Sequence, residues 1–362
     1  VSVDRRPTLE TVAARAAVSR QTVSNALNAP ELVRADTLER VLAVVGELGY
    51  RPHGAARQMR TNRSQVIGLR LEPTAAGVGA VLDRFLHGLT EQAQLRGYRV
   101  MLFTAADDGA EIAQYGELLG VLQLDAFALT STHHDDPRTQ WLTEHDVPFV
   151  TFGRSWHSAG QEPSAAEHAW VDVDGAAGTR AAVEHLLELG HRRIGFIGWP
   201  DGSDVGDDRR AGWRQAMRAA DAVPPAELER LRTGVVDGVG TGAAAAEWLL
   251  TTASPTAFVC ASDSLALGAL VASRSLADAA VTSDVPAVIG FDDTPVARAI
   301  GLSSIAQPLT EAAGRAFGLL LSQLHGDRPS SAKGWAEHQV LLSPSLVVRD
   351  SSTRRVPPSS DG

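Results

Sequence analysis

The chain has 362 residues, 44% of them hydrophobic and 21% charged, with a formal net charge of −10. That length suits two or three folded units with sizeable cores. A single cysteine, Cys260, excludes an internal disulfide framework and a multi-cysteine zinc site. No apolar run reaches the roughly 18 residues of a membrane helix, and VSVDRRPTLE lacks a signal-peptide core, so a cytoplasmic location with no membrane partner is expected.

The acidic total hides a basic end. Residues 1–63 hold ten arginines against six acids, so the remainder of the chain carries all of the negative excess. Such a distribution confines attraction for phosphates to the N-terminal module. Within it, residues 8–28 read TLETVAARAAVSRQTVSNALN. Leu9, Val12, Ala13 and Ala16 recur at the spacing of one buried helical face, with Thr8 placed to cap it and Ala17-Val18 at a corner. Ser19 is a plausible cap for a second helix that gathers Val23, Ala26 and Leu27 on one side. At 100° per residue Gln21 and Asn25 lie opposite, with Arg20 and Ser24 at one edge. Arg, Gln and Asn on an outward face are the donors and acceptors that read base edges in a major groove. The segment therefore predicts a DNA-binding helix-turn-helix, with Ser19, Thr22 and Asn28 completing the candidate contacts.

A third helix is marked by Leu38, Val41, Leu42, Val45 and Leu48 and ends at Gly49, its stripe closing a small three-helix core. Tyr50-Arg51-Pro52 stops it. The next piece, HGAARQMRTNRS, is short, basic and poor in apolar residues, a linker whose isolated helix would be unstable in water.

These features resemble the lactose-repressor (LacI/GalR) family of transcriptional regulators, and the resemblance continues to about Arg349. It implies a hinge helix at the linker that folds on operator DNA and pushes an apolar side chain into the minor groove. Met59 takes that place here, among Arg57, Arg60 and Arg63, as unstacking a base step requires. Departures exist. Asn25, which suits adenine, stands where the family often has a guanine-reading arginine. Ala17 replaces a turn glycine, Arg34 a capping hydroxyl with Asp36 close by, and Gly54 a hinge proline.

From Val66 the pattern becomes strands alternating with helices. VIGLRL precedes a helix with Val81, Leu82, Phe85, Leu86 and Leu89, and RVMLF, AFALT and PFVTF follow. A second series begins near Val171, with the helix GTRAAVEHLLELG and the strands RRIGFIG, TAFVCA and AVIGFD. Two such series predict two parallel sheets covered by helices, with a cleft between their carboxyl ends. The expected fold class is thus a small all-α helix-turn-helix domain plus an α/β effector domain of two parallel-sheet subdomains. The resemblance implies that this domain is periplasmic-binding-protein-like and that the chain crosses between its halves three times. The expected boundaries are 1–52 for the helix-turn-helix and 53–64 for the hinge. The effector domain takes 65–350, as 65–170 with 303–328 and 171–302 with 329–350. A polar, Pro- and Ser-rich tail, 351–362, is expected to be disordered.

Strand ends are where a ligand is expected. Trp199 follows RRIGFIG and can stack on a sugar ring. By resemblance, Arg209 of RRAGW reaches ligand hydroxyls with its fixed fork of donors, and Asp292 accepts from a sugar. Ser262 is the matching pocket-side polar residue. Glu72 and Arg154, at the ends of two first-half strands, are expected on the opposite wall. Each has a plainer reading: Arg209 paired with Asp207 or Asp208, Trp199 as packing, Asp263 as a helix cap, and one of Asp292 and Asp293 capping the next turn or helix. The aromatic that the resemblance places before a T-G helix start is absent from VVDGVGTG, leaving Trp199, Trp156 or Trp170 for stacking. The eleven histidines show no metal-ligand spacing, and the cluster His133-His134-Asp135-Asp136 suits a loop. No cofactor is expected.

The function expected is a sugar-responsive transcriptional repressor, a homodimer on double-stranded operator DNA whose affinity is controlled by a small sugar or glycoside. Two-fold pairing doubles the contacts of a module too small to bind tightly alone. A sugar-binding protein is the first alternative, against which residues 1–63 argue. A sugar-processing enzyme using Asp292 with Asp263 is the second. No Walker loop or G-x-G-x-x-G turn is present.

Overall fold

A computed structural model describes residues 7–50, 63–71, 79–156, 168–278, 285–329 and 331–353. The chain divides into two compact units, Val1–Ser64 and Gln65–Gly362.

The first unit is three helices: α1 (Leu9–Ala16), α2 (Arg20–Asn28) and α3 (Ala35–Leu48), with a 3-10 turn Pro30–Leu32 before the last. Thr8 caps α1 reciprocally with Thr11, and Ala17 ends it in the left-handed region at φ 52° and ψ 47°. The turn thus keeps its geometry without glycine, at the cost of a Cβ in that region. The Ser19 side chain accepts the Thr22 amide and caps α2. Val12, Ala13, Ala16, Val23, Ala26, Val41, Val44 and Tyr50 form the core. Leu42, expected in that stripe, is instead 48% exposed and Val44 is buried, because the α3 face against α1 and α2 runs through Val41 and Val44. Arg34 makes no side-chain cap. Asp36, expected to compensate, accepts the adjacent Thr37 amide.

The second unit holds two six-stranded sheets. The first contains β1 (Val66–Leu71), β2 (Arg99–Thr104), β3 (Ala126–Leu129), β4 (Phe149–Phe152) and β5 (Ala169–Val173), and its order continues to β11 (Gln339–Leu342) beyond β5. Every neighbouring pair in it is parallel. The second contains β6 (Ile194–Gly198), β7 (Arg232–Gly234), β8 (Ala257–Cys260), β9 (Ala287–Phe291) and β10 (Ser303–Ala306), all parallel, plus β12 (Ser345–Val347) antiparallel to β10. Helices α4 (Gly79–Leu95), α5 (Asp108–Gly120) and α6 (Pro137–Glu144) intervene in the first series; α7 (Gly175–Glu188), α8 (Val205–Ala219), α9 (Pro225–Leu228), α10 (Val239–Thr252), α11 (Asp263–Asp278) and α12 (Pro295–Ala299) in the second. The later helix α13 (Leu309–Leu324) packs on α4, β4 and β5 and so returns to the first half. The short α14 (Ala332–Ala336) precedes β11.

The three crossings therefore differ from those expected near 170, 302 and 328. β5 pairs with β4 and stays in the first sheet, so the first crossing follows Val173. β10 pairs with β9, which moves the second past Ala306. β11 pairs with β5 and β12 with β10, which puts the third at Ser343-Pro344. Nor is the tail loose at its start. Ser351 and Ser352 lie in a 3-10 turn, Ser352 is fully buried, and both hydrogen-bond Ser303. Residues 354–362 lie outside the described ones.

A charged network underlies the first sheet. Glu111, fully buried, receives Arg138, Arg70 and the Tyr115 hydroxyl, while Asp108 receives Arg70 and His133. Asp108, His133 and Asp136 converge closely enough for a cation, but Arg70 and Arg138 already neutralise their carboxylates. Burial opposes the His133 imidazolium; hydrogen bonds to the His134 carbonyl and to Asp108 outweigh it and raise the pKa.

Candidate functional site

A cavity of about 280 Å³ lies at the carboxyl ends of both sheets. Each parallel strand of the second sheet sends one side chain into its wall: Trp199 after β6, Asp237 after β7, Ser262 after β8, Asp292 after β9 and Gln307 after β10. Thr130, Ser131 and Thr132 after β3, Gly153 after β4, and Asp172 on β5 face them from the first half. This is where ligands sit in open α/β sheets, beyond the strand ends. Gly153 has φ +121°, and a Cβ there would stand 2.2 Å from Thr132 Oγ1, so only glycine lets the two segments meet.

Arg209, on the first turns of α8, is 6% exposed. Its Nη1 donates to the Ala261 carbonyl, its Nη2 lies 3.7 Å from Asp292 Oδ1, and its guanidinium lies over the Phe291 ring at 3.7 Å and the Trp199 ring at 5.1 Å. Its Nε is buried against Gly175 with no hydrogen-bond partner among the described residues. The plainer pairing with Asp207 or Asp208 does not occur: Asp207 holds Arg210 and Asp208 holds Arg154. Asp292 is partly buried, its side chain 13% exposed, and desolvation pushes its pKa up to about 7 against the pull of Arg209. Gln307 Nε2 donates to Asp292 Oδ1 at 2.7 Å. Asp292 itself sits at φ 107°, which turns its carboxyl toward the cavity side of the strand end.

Neighbouring acids have structural duties. Asp263 accepts the Ser304 hydroxyl and the Thr294 amide, and Asp293 pairs with Arg298 and Arg349. The cap of α12 is Thr294, not either aspartate expected for it. Arg154 does not line the cavity; it is held by Asp172 at 2.5 Å and, across the two halves, by Asp208 at 3.3 Å, with its guanidinium over Trp156. A second tie between the halves runs from the His134 amide to Asp204 at 2.8 Å. Trp170 lies in β5 beside β11, away from the cavity wall. Glu72 lies outside the described residues.

Asp237, Gln307 and Thr130–Thr132 were not singled out in the sequence. Gln307 directly follows a strand, a signal that extending the strand-end rule to β10 would have caught. Asp237 stands in a loop that follows a three-residue strand, too short for any periodic signal.

In the first unit, Arg20 and Gln21 are exposed and Ser24 and Asn25 partly so. Gln21 Nε2 donates to Asn25 Oδ1 at 2.9 Å, aligning two amides on one face of α2. Arg20 pairs with Glu10 at 3.0 Å. The Ser19 and Thr22 hydroxyls bond each other at 2.8 Å within the cap. The side chain of Asn28 and residues Arg57, Met59 and Arg60 lie outside the described ones; Arg63 precedes β1.

Residues 8–53 match the family described as bacterial regulatory proteins, lacI family, and residues 183–352 match a periplasmic binding protein-like domain. The chain is 34% identical over 360 residues to the HTH-type transcriptional regulator CelR of Thermobifida fusca, covering 96% of this chain and 98% of that protein. A solved complex of a transcriptional regulator CelR with cellobiose is 31% identical, with a TM-score of 0.67 over 96% of this chain and 100% of that one. The lac repressor dimer bound to operator and the anti-inducer ONPF is 25% identical, with a TM-score of 0.77 over 97% of this chain and 100% of that one. No helix among the described residues is long and apolar enough to cross a membrane.

Proposed function

The chain belongs to the lacI family of bacterial regulatory proteins, and from that membership we propose a cytoplasmic repressor whose operator affinity is set by a neutral sugar in the inter-sheet cavity. The observation that carries the ligand half of this reading is the cavity wall. Arg209, Asp292 and Gln307 line one wall and place a guanidinium beside carboxylate and amide groups, a pattern suited to hydroxyls that both give and accept. The relative solved with cellobiose makes a β-linked glucoside the first candidate.

DNA is read by Gln21 and Asn25, on the exposed face of α2, with Arg20 and Ser24 beside them. Arg57, Arg60 and Arg63 are assigned to phosphates and Met59 to the minor groove. Two copies bind a pseudo-palindrome, because one small module makes too few contacts for tight binding. The cavity is expected to bind its ligand without turning it over, as in relatives that are transcriptional regulators; Asp263, the acid considered as a partner for Asp292, is engaged by Ser304 and Thr294.

Selection of duplexes from a random library by the full chain, followed by elution with mono- and disaccharides, tests both halves. A recovered palindrome that is eluted by a neutral sugar is expected. Recovery of no sequence preference, or elution by no sugar, contradicts the corresponding half. Incubation with aryl glycosides is expected to release no aglycone.

A further inference from the structure

Asp237 enters the cavity wall on a loop that is fixed. Val235 donates its amide to the Gly198 carbonyl at 2.9 Å, and Thr241 Oγ1 bonds the carbonyls of Val236 and Gly238. Gly234 passes so close to β6 that a Cβ would stand 2.8 Å from the Trp199 carbonyl oxygen. On this rigid support Asp237 Oδ1 accepts two hydrogen bonds, from the Trp199 indole Nε1 at 3.0 Å and from the Ser262 hydroxyl. Ser262 Oγ in turn accepts the Leu265 amide at 3.1 Å, which fixes the direction of its own proton toward Asp237.

One carboxylate oxygen therefore orients two other cavity residues. The other, Oδ2, has no hydrogen-bond partner among the described residues, although Asp237 lines the cavity. Asp292 is arranged likewise: its Oδ1 receives Gln307 and faces Arg209, and its Oδ2 has no partner among the described residues. Of the three acids in the cavity lining, Asp172 is paired with Arg154 and Asp292 faces Arg209, while Asp237 has no salt-bridge partner among the described residues. A wall with open acceptor oxygens and excess negative charge favours ligand donors and repels ligand anions.

We propose that Asp237 is the specificity-determining residue of this cavity: it holds Trp199 and Ser262 in place through Oδ1, and through Oδ2 it accepts from a hydroxyl or ammonium group of the ligand while excluding carboxylated and phosphorylated sugars. The proposal rests on the reading of the cavity as the sugar site.

Two arms test it separately. Calorimetry compares cellobiose with its glucuronic-acid counterpart, cellobiouronic acid, on the full chain and on Asp237→Asn. Asparagine keeps an acceptor for Trp199 and Ser262 but removes the charge and replaces the open oxygen with a donor. Cellobiose affinity is expected to fall about tenfold or more, and the preference for it over the acid to shrink by a similar factor. Unchanged affinity or unchanged preference in Asp237→Asn overturns the proposal. The second arm needs no ligand: 19F spectra of protein labelled with 5-fluorotryptophan, with the Trp199 resonance assigned from Trp199→Phe. That resonance is expected to move in Asp237→Leu and to stay near its original position in Asp237→Asn. No movement in Asp237→Leu overturns the proposal. If the full chain binds neither sugar while the resonance moves as stated, the sugar reading falls and the anchoring role of Asp237 stands.

Discussion

The Arg209 guanidinium carbon lies 3.7 Å from the centre of the Phe291 ring and Nη2 lies 3.7 Å from Asp292 Oδ1, so two consecutive residues at one strand end hold the same cation. Arginine suits this place because its fork can hold the Ala261 carbonyl and Asp292 together while stacking. The two partners are then unequal under mutation. Asp292→Asn keeps an oxygen for Gln307 and removes a charge-assisted bond to the ligand, a loss of about 1.5–3 kcal/mol, or roughly tenfold to a hundredfold in cellobiose affinity. Arg209→Ala also strands the Ala261 carbonyl, and is expected to destabilise the fold by about 1–3 kcal/mol. Urea melts of both variants beside cellobiose calorimetry separate the two outcomes.

Proton linkage gives an independent handle on Asp292. Its pKa is pushed up to about 7 by burial, so the ligand-free cavity near neutrality is partly protonated. A ligand hydroxyl donating to Asp292 favours the charged form, so binding releases a proton and affinity rises with pH between about 5 and 8. For stability the sign is opposite. A carboxyl whose folded pKa lies above its unfolded value of about 3.9 stabilises below that value and loses the contribution as pH rises through about 7. Calorimetry in phosphate and in Tris, which differ in ionisation enthalpy, should show proton release that vanishes in Asp292→Asn.

The ties between the two halves are expected to slow ligand exchange. Arg154 to Asp208, and the His134 amide to Asp204, join the halves beside the cavity. Arg154→Met leaves Asp172 and Asp208 without their shared cation. Cellobiose dissociation followed by stopped-flow tryptophan fluorescence is expected to be several-fold faster, because a partly buried charged hydrogen bond contributes on the order of 1.5–3 kcal/mol. An unchanged rate would assign Arg154 to local packing alone.

Base reading and phosphate contact should fail differently. Asn25→Ala also releases Gln21, whose amide it aligns, and should cost about 1–3 kcal/mol with relaxed preference at one operator position. Arg63→Ala should weaken all sequences alike and lower the salt slope by about one unit. Equal losses on selected and random duplexes for Asn25→Ala would remove it from base reading.

The division between what the sequence revealed and what it did not has physical causes. Helix ends were legible where local chemistry decides them: Thr8, Ser19 and Gly49 stand where they cap. Ala17 shows a turn enforced by packing over residue preference. The cavity positions of Trp199, Arg209, Ser262 and Asp292 were legible because each follows a clear strand or heads a helix. The crossings were misplaced because β5, β11 and β12 are three to five residues long and are defined by partners far away in the chain. For Asp237 the deciding contacts are with Trp199 and Ser262, 38 and 25 residues away, and no local pattern encodes them.

The coupling of cavity to operator is tested most directly by fluorescence anisotropy of a selected operator duplex, titrated with the full chain and with Asp292→Asn in the presence and absence of saturating cellobiose. Any ligand that shifts DNA affinity must bind one arrangement of the halves better than another, so the shift measures that difference. A drop in operator affinity of at least about tenfold is expected for the full chain, within the 1–3 kcal/mol typical of allosteric coupling. Asp292→Asn should bind the same duplex with its sugar-free affinity and lose most of that shift at the same cellobiose concentration. Cellobiose bound by the full chain with no change in operator affinity, or an equal shift in both proteins, would contradict it.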